Sequence, residues 1–374
     1  MILVVDSVRH AGEHLELNSS ILESLIEADG EIDFLTSPDY WNSFSSTLRE
    51  RMELQSSARL PHGLIGTLRS LLLLIMIVIF KRKYKSVVFL SSITYNSFFL
   101  ALFSYLRIIK PKIIIFLHEI SYIESIKGTT KLAGYFLKLA LYIGLKNQSK
   151  FIIIGSYIRW ELEKRVNFNK ESTIFIEHPI SVSTYYKPKD TFKLIKFAST
   201  GVQCVEKNSF KIEIIAEYSR DLVKSGAIAL STIGRVNYSF DLKLPVTHIG
   251  LDYNNYLMPI EDYERYILDQ HYLLFFLGKE YDLKTSGTIV DSIKYQKPII
   301  ALSCNLVNFY FEKFGNIGYV YRCIDEMNKG ILNLCKNFDP ELYSVQVKNL
   351  TKANDQMSGT QFRREIQQLL LGKK

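Results

Sequence analysis

The 374-residue sequence predicts two doubly wound α/β domains in tandem. Short β-branched runs alternate with amphipathic stretches almost from end to end, the pattern of parallel sheets covered by helices on both faces. The alternation lapses over a polar, proline-containing stretch at 181–192 and then restarts. The chain is also longer than one ordinary core fills, and two domains of about 180 residues are the natural division.

In the first half MILVVD (1–6) reads as a strand, followed by a polar loop and an amphipathic helix from Leu15 to Ala28. EIDFLTS (31–37) is a second strand, and the polar stretch 38–63 reads as loop plus a short helix. A helix around 64–83 leads to strand 86–92, helix 95–108, strand 113–119 and helix 129–147. Strand 151–156, helix 157–166 and strand 173–180 complete the half. In the second half strand 193–201 precedes a helix at 207–224, and strands follow at 227–234 and 246–252. Helix 260–270, strand 271–278, helix 286–296 and strand 298–302 come next. Helix 305–315, strand 318–322 and helices near 324–336 and 358–371 end the chain. The expected division is 1–185, 186–357 and a C-terminal helix at 358–374 that packs back on the first domain.

The net charge of +8 is unevenly placed. Residues 1–60 hold 4 Lys/Arg against 11 Asp/Glu, whereas 61–170 hold 17 against 4. The basic segment includes ten consecutive apolar residues, Leu71 to Phe80, followed by KRKYK. A bilayer-spanning helix needs about 20 apolar residues, so this run suits a buried core helix or a helix lying on an anionic membrane surface. Nucleic-acid binding is disfavoured, because zinc spacings, helix-turn-helix patterns and RNP-like aromatics are missing. Cys204, Cys304, Cys323 and Cys335 have no metal-ligand spacing and read as reduced, mostly core thiols of a cytosolic protein. The first residues lack the basic region of a signal peptide. G-x-S-x-G, Walker, H-E-x-x-H and G-x-G-x-x-G patterns are also missing, which disfavours the corresponding hydrolase, NTPase, metalloprotease and nicotinamide chemistries.

The most informative stretch is KTSGTIVDSIKYQKPIIAL, Lys284 to Leu302. Ser286, Gly287 and Thr288 stand where a helix begins, and unpaired N–H groups with the positive end of the helix dipole suit a diphosphate. Gly287 allows close backbone approach, and the two hydroxyls can donate to phosphate oxygens. The same residues also suit an ordinary N-cap. Asp291, one helical turn on, either accepts sugar hydroxyls or simply favours the dipole.

On these residues the chain resembles the GT-B glycosyltransferases, nearest to the family-4-like enzymes that use sugar nucleotides. The resemblance spans the chain: a glycine-containing loop after the first strand (Arg9, His10, Gly12), a strand ending in FLHE (His118, Glu119), and the proline turn EHPI (Glu177 to Ile180). The second domain opens with a strand, a glycine turn and a lysine (Gly201, Lys207), and Asp291 leads to a K-P-strand element. The family carries two acids eight positions apart. Asp291 stands for the second, whereas Leu283 occupies the first position and Asp282 and Glu280 are out of register. A subset of GT-B enzymes carries a Ser-Gly element here, as this chain does.

The resemblance implies two Rossmann-like domains facing across a cleft, with acceptor on the first and donor on the second. It implies a donor site at Ser286, Gly287, Thr288, Gly201, Lys207 and Arg235, an acceptor side at His10, Gly12 and Glu119, and catalytic roles for His118 and Asp291. No cofactor and no metal are expected. Expected partners are a nucleotide-sugar donor, a glycan or lipid-linked acceptor, and an anionic membrane surface met through 61–170, with no nucleic acid. The implied process is surface-polysaccharide (O-antigen or capsule) synthesis at the cytoplasmic face of the plasma membrane. A GT-B sugar-nucleotide 2-epimerase and a catalytically silent GT-B scaffold subunit stay open as alternatives. Lys207 also suits a solvated helix start, His118 a satisfied structural histidine, and Glu177–His178 a structural turn.

Overall fold

The computed structural model describes residues 1–6, 14–56, 84–91, 94–118, 120–126, 128–180, 193–237, 244–250 and 258–371. His10, Gly12, Glu119, the 64–83 helix and the 181–192 connection lie outside the described residues. The chain divides into two compact units. One comprises 1–181, 283–285 and 359–374; the other comprises 182–282 and 286–358.

The first unit holds a sheet of seven parallel strands: β1 Ile2–Asp6, β2 Ile32–Thr36, β3 Met52–Ser56, β4 Ser86–Phe89, β5 Lys112–Leu117, β6 Lys150–Ile154 and β7 Thr173–Ile176. Their spatial order is β3-β2-β1-β4-β5-β6-β7, so the winding direction reverses between β1 and β4. The runs are β-branched because both faces are covered: Leu3, Val4, Val87, Val88, Ile113 and Ile115 are all buried. Helix Leu15–Asp29 buries Leu17, Ile21, Leu22 and Leu25 at helical spacing against Val4 and Phe34. Helix Gly359–Leu371 joins the same core through Phe362 and Ile366, and Gly359 N–H donates to the Ile180 carbonyl at 3.0 Å. Its far end is held by Lys112, whose ammonium donates to the Leu370 carbonyl at 3.1 Å.

The second unit holds six parallel strands: β8 Ile195–Thr200, β9 Ile228–Ile233, β10 Thr247–Ile249, β11 Tyr272–Phe275, β12 Ile299–Leu302 and β13 Gly318–Tyr321. Their order is β10-β9-β8-β11-β12-β13, reversing between β8 and β11. The core on one face of this sheet gathers Phe197, Leu230, Tyr272, Leu274 and Ile300 under helices Lys211–Tyr218, Ile324–Lys336 and Pro340–Gln356.

Four expectations are corrected. The 38–63 stretch contains a strand, β3, as well as short helices at Pro38–Asn42 and Ser46–Arg49. MELQS has only two apolar residues and sits at the sheet edge, so its periodicity is weak. The helix expected at 207–224 begins at Lys211 and breaks at Ser219 into Lys211–Tyr218 and Arg220–Lys224, with Val205–Lys207 forming a separate 3₁₀ turn. An unforeseen helix, Pro340–Gln356, starts at an Asp339 cap that accepts from the Glu341 and Leu342 amides, with Pro340 at its first position. Its polar majority hides the buried stripe Tyr343, Val347, Leu350. The cysteines are not core thiols: Cys323 is exposed, and Cys204, Cys304 and Cys335 are half-buried.

Phe362→Ala removes the anchor of the terminal helix and is expected to destabilise the first unit by about 3 kcal/mol. Chemical denaturation measures the loss, and an unchanged midpoint would show that the helix is not part of that core.

Candidate functional site

In open parallel sheets a ligand crevice forms beyond the carboxyl ends of the strands where the winding reverses. In the second unit this is the end of β8 beside β11. Three neighbouring strands, β8, β9 and β10, finish alike, as ASTG, STIG and THIG. Gly201 and Gly234 adopt positive φ of 81° and 118°. A Cβ on Gly234 would lie 2.6 Å from the Gly201 carbonyl oxygen, so the two turns stack backbone on backbone. Gly250 stacks on Gly234 in the same way. Gln203 stitches the turns together: its N–H donates to the Arg235 carbonyl at 2.7 Å, and its carbonyl accepts from Asn237 N–H at 2.8 Å. Its buried amide donates to the Gly201 carbonyl at 3.1 Å and accepts from the Ser199 hydroxyl at 3.0 Å.

A Cβ on Gly201 would sit 2.5 Å from the Thr288 methyl and 3.6 Å from Lys207 Nζ. The missing side chain therefore lets a helix start and an ammonium converge on one bare turn. The helix is Gly287–Lys294. Ser286 is buried and is its N-cap, accepting from Ile289 N–H at 3.4 Å and sharing a 3.0 Å hydrogen bond with the Thr288 hydroxyl. The ordinary cap is thus realised at Ser286, while Gly287 is exposed with open space where its Cβ would be.

Asp291, half-buried, accepts from the Tyr263 hydroxyl at 2.8 Å. Tyr263 comes from helix Ile260–Leu268, which Glu264 also ties to the 287–294 helix by accepting from the Tyr295 hydroxyl at 2.8 Å. Burial and the neighbouring Asp291 carboxylate hold the Tyr263 phenol well above its ordinary value, so it is a neutral donor. Burial lowers the Lys207 ammonium below the ordinary lysine range, and Cys204 and Asp291 pull it partly back. The Thr200 hydroxyl at the end of β8 is buried beside the Tyr263 phenol without a partner of good geometry. Arg235 is exposed, and its guanidinium donates to Asn237 Oδ1 at 2.9 Å; only its backbone joins the stacked turns.

Leu283, where the resemblance leads one to expect an acid, is buried at 2% exposure. The neighbouring acids are engaged locally: Asp282 accepts from Asn305 at 3.1 Å, and Glu280 accepts from the Gly278 amide at 2.9 Å.

In the first unit the reversal point lies at the ends of β1 and β4. Asp6, at the end of β1, is buried and accepts from Asn18 at 3.3 Å and from the Ser91 hydroxyl at 3.2 Å. His118, just beyond β5, points Nε2 at the Leu90 carbonyl at 2.8 Å. A carbonyl only accepts, so Nε2 carries the proton of this bond. The ring of exposed His14 lies 4.7 Å away, centroid to centroid. The Ser156 hydroxyl donates to Glu177, and burial lowers His178, whose Nδ1–H donates to the Pro179 carbonyl at 2.9 Å, so the EHPI turn is tied by local hydrogen bonds.

No family model and no curated protein sequence matches the chain. Solved structures do. WaaG, a glycosyltransferase involved in lipopolysaccharide biosynthesis, superposes with a TM-score of 0.67 at 11% identity over 99% of each chain. HepE from Anabaena, in complex with UDP and glucose, gives 0.66 at 13% identity over 99% of this chain and 98% of that one. A glycosyltransferase from Rickettsia africae gives 0.61 at 11% identity over 100% of this chain and 99% of that one. The chain has the GT-B fold.

Within this GT-B chain, sequence reasoning missed Tyr263, Thr200, Gln203 and His14. Tyr263 carries no local signal, because it reaches Asp291 across 28 positions of sequence. The thrice-repeated strand-then-glycine ending was the legible sign of the stacked turns. Among the described residues, no group of three His, Cys, Asp or Glu side chains is placed to hold a metal ion.

Two outcomes follow. Gly234→Ala drives a methyl into the Gly201 carbonyl and is expected to lower both the melting temperature and nucleoside-diphosphate affinity, the latter at least tenfold. Retention of both would show that the turns tolerate separation. Because Lys207 loses its proton below the ordinary lysine range, diphosphate affinity should fall as pH rises towards 10.5, with binding taking up a proton. Calorimetry in buffers of different ionisation enthalpy reads that uptake, and Lys207→Met should abolish it.

Proposed function

We propose that this chain is a glycosyltransferase moving a sugar from a nucleoside diphosphate sugar to a glycan or lipid-linked oligosaccharide. The observation that carries the reading is the convergence of Lys207 and the Gly287–Lys294 helix start on the bare Gly201 turn. Transfer breaks the bond from the sugar's anomeric carbon to the diphosphate and forms one to an acceptor oxygen. The leaving diphosphate then holds the negative charge. The Gly287 and Thr288 amides, the helix dipole and the Lys207 ammonium are the groups that would stabilise it. Gly201, having no side chain, lets the phosphates approach, and Arg235 adds a cation at the rim. Asp291, oriented by Tyr263, accepts ribose or donor-sugar hydroxyls. The acceptor hydroxyl gives up a proton, and the His118 imidazole is the candidate to take it, with His10, Gly12 and Glu119 on the acceptor side. The residues named ask for no metal and no cofactor.

The similarity to WaaG, described as acting in lipopolysaccharide biosynthesis, and to HepE, seen with UDP-glucose, supports a sugar-nucleotide donor and a surface-glycan process such as O-antigen or capsule assembly. A lipid-linked acceptor places the protein in the cytoplasm, peripheral at the inner face of the plasma membrane. Among the described residues no helix is long and apolar enough to cross a membrane. One observation favours a second reading, the silent GT-B scaffold: a buried leucine stands where the family's first acid would be.

Differential scanning fluorimetry against UDP, GDP, dTDP and CMP separates the two. One diphosphate is expected to raise the melting temperature by about 5 °C at a hundredfold excess over its Kd. Gly287→Trp, filling the open space at the helix start, should abolish the shift. Asp291→Asn should weaken nucleotide binding and reduce transfer at least a hundredfold. If no nucleotide shifts the transition, the scaffold reading replaces the enzyme.

A further inference from the structure

Helix Gly128–Ile143 turns an apolar face to the core and another outward. Inward it buries Ala133, Leu137, Ala140 and Leu141. Its opposite face follows helical spacing through Lys131, Leu132, Tyr135, Lys138, Leu139 and Tyr142. On that face Leu132 is 52% exposed, Tyr135 60% and Tyr142 63%. An ordinary outer face carries mixed charges, whereas this one carries two lysines, no acid and a row of large apolar side chains. The adjoining end of helix Thr94–Tyr105, in direct contact with it, adds Tyr105 and Leu106 at 58% and 55% exposure, beside Arg107. Across 94–150 the sequence has eight Lys/Arg against two Glu, and one of those, Glu124, is paired with Arg165.

We propose that this outward face is a docking surface for an anionic lipid bilayer, on which the 128–143 helix lies in the interfacial plane. Leucine enters the acyl boundary, and tyrosines rest at headgroup depth with their hydroxyls in water. Lysine stems run along apolar surface while their ammonium groups reach anionic headgroups. Charge selects the occupant: the face is basic throughout, so a second copy of the same face would meet like charge, whereas an anionic bilayer complements it. This surface rests on the peripheral-membrane part of the proposed function and names the element that makes contact. It narrows the basic 61–170 segment expected to meet the membrane to the 128–143 helix.

The test is co-sedimentation of the full chain with phosphatidylcholine vesicles with and without 30% phosphatidylglycerol (about a third, enough for a negative surface potential). The intact protein should bind the anionic vesicles and lose binding at high salt. Lys131→Ala with Lys138→Ala should weaken partitioning roughly 25-fold, at about fivefold per lysine. Leu132→Ser with Tyr135→Ser and Tyr142→Ser should abolish it. All five positions are at the surface, and an unchanged melting temperature checks that each variant is folded. Equal binding by the variants, or no binding by the intact protein, overturns the proposal. So does a dimer in analytical ultracentrifugation that the apolar variant dissociates, since the occupant is then a second copy. Nucleotide-induced stabilisation of the same samples is read separately, so failure at the membrane is distinguishable from failure of the donor site.

Discussion

The candidate site depends on a steric vacancy at Gly201. A chain turn at positive φ with no Cβ leaves room for the Thr288 methyl, which a Cβ would meet at 2.5 Å, with the Lys207 ammonium alongside. The vacancy is maintained from behind by Gly234 and Gly250, whose backbones press on one another in succession along three adjacent strands. The positioning is accordingly rigid. It is set by main-chain contact between the turns and by hydrogen bonds from the Gln203 backbone and its buried side-chain amide.

Electrostatics completes what sterics begins. A partly buried lysine is costly to charge, and the nearby Asp291 carboxylate offsets only part of that cost. Tyr263 supplies a neutral hydrogen bond that orients the carboxylate without cancelling its charge. The remaining deficit of negative charge, together with an uncovered helix start, is what a bound diphosphate would supply. Leu283, four positions before the helix start, is buried and carries no charge to this site, so Asp291 and its phenol partner are the polar pair on the helix.

The first unit combines a conventional interior with an unconventional exterior. Its sheet and helix Leu15–Asp29 bury the expected aliphatic residues, and the terminal helix closes one side through Phe362 and Ile366. The 128–143 helix is apolar on both faces. Only the inner face is explained by folding, because Leu132, Tyr135 and Tyr142 contribute exposed surface that the core does not use.

The sequence by itself determined the doubly wound α/β class, since strands buried on both faces must be continuous apolar runs and helices over them must be amphipathic. It also marked the Ser286–Thr288 turn and Asp291, because helix starts and acids near them have local signatures, while Gly201 and Lys207 were marked by the family resemblance. It was blind to β3 and to Pro340–Gln356, where polar residues outnumber the apolar ones that reveal periodicity. Only the tertiary structure decided that Ser286 serves as the cap, that Arg235 turns to Asn237, and that His14 lies against His118. It alone brought Tyr263 to Asp291. Such pairings join residues far apart in the chain, and their geometry is set by strand order and the stacking of turns, which no local pattern of residues encodes.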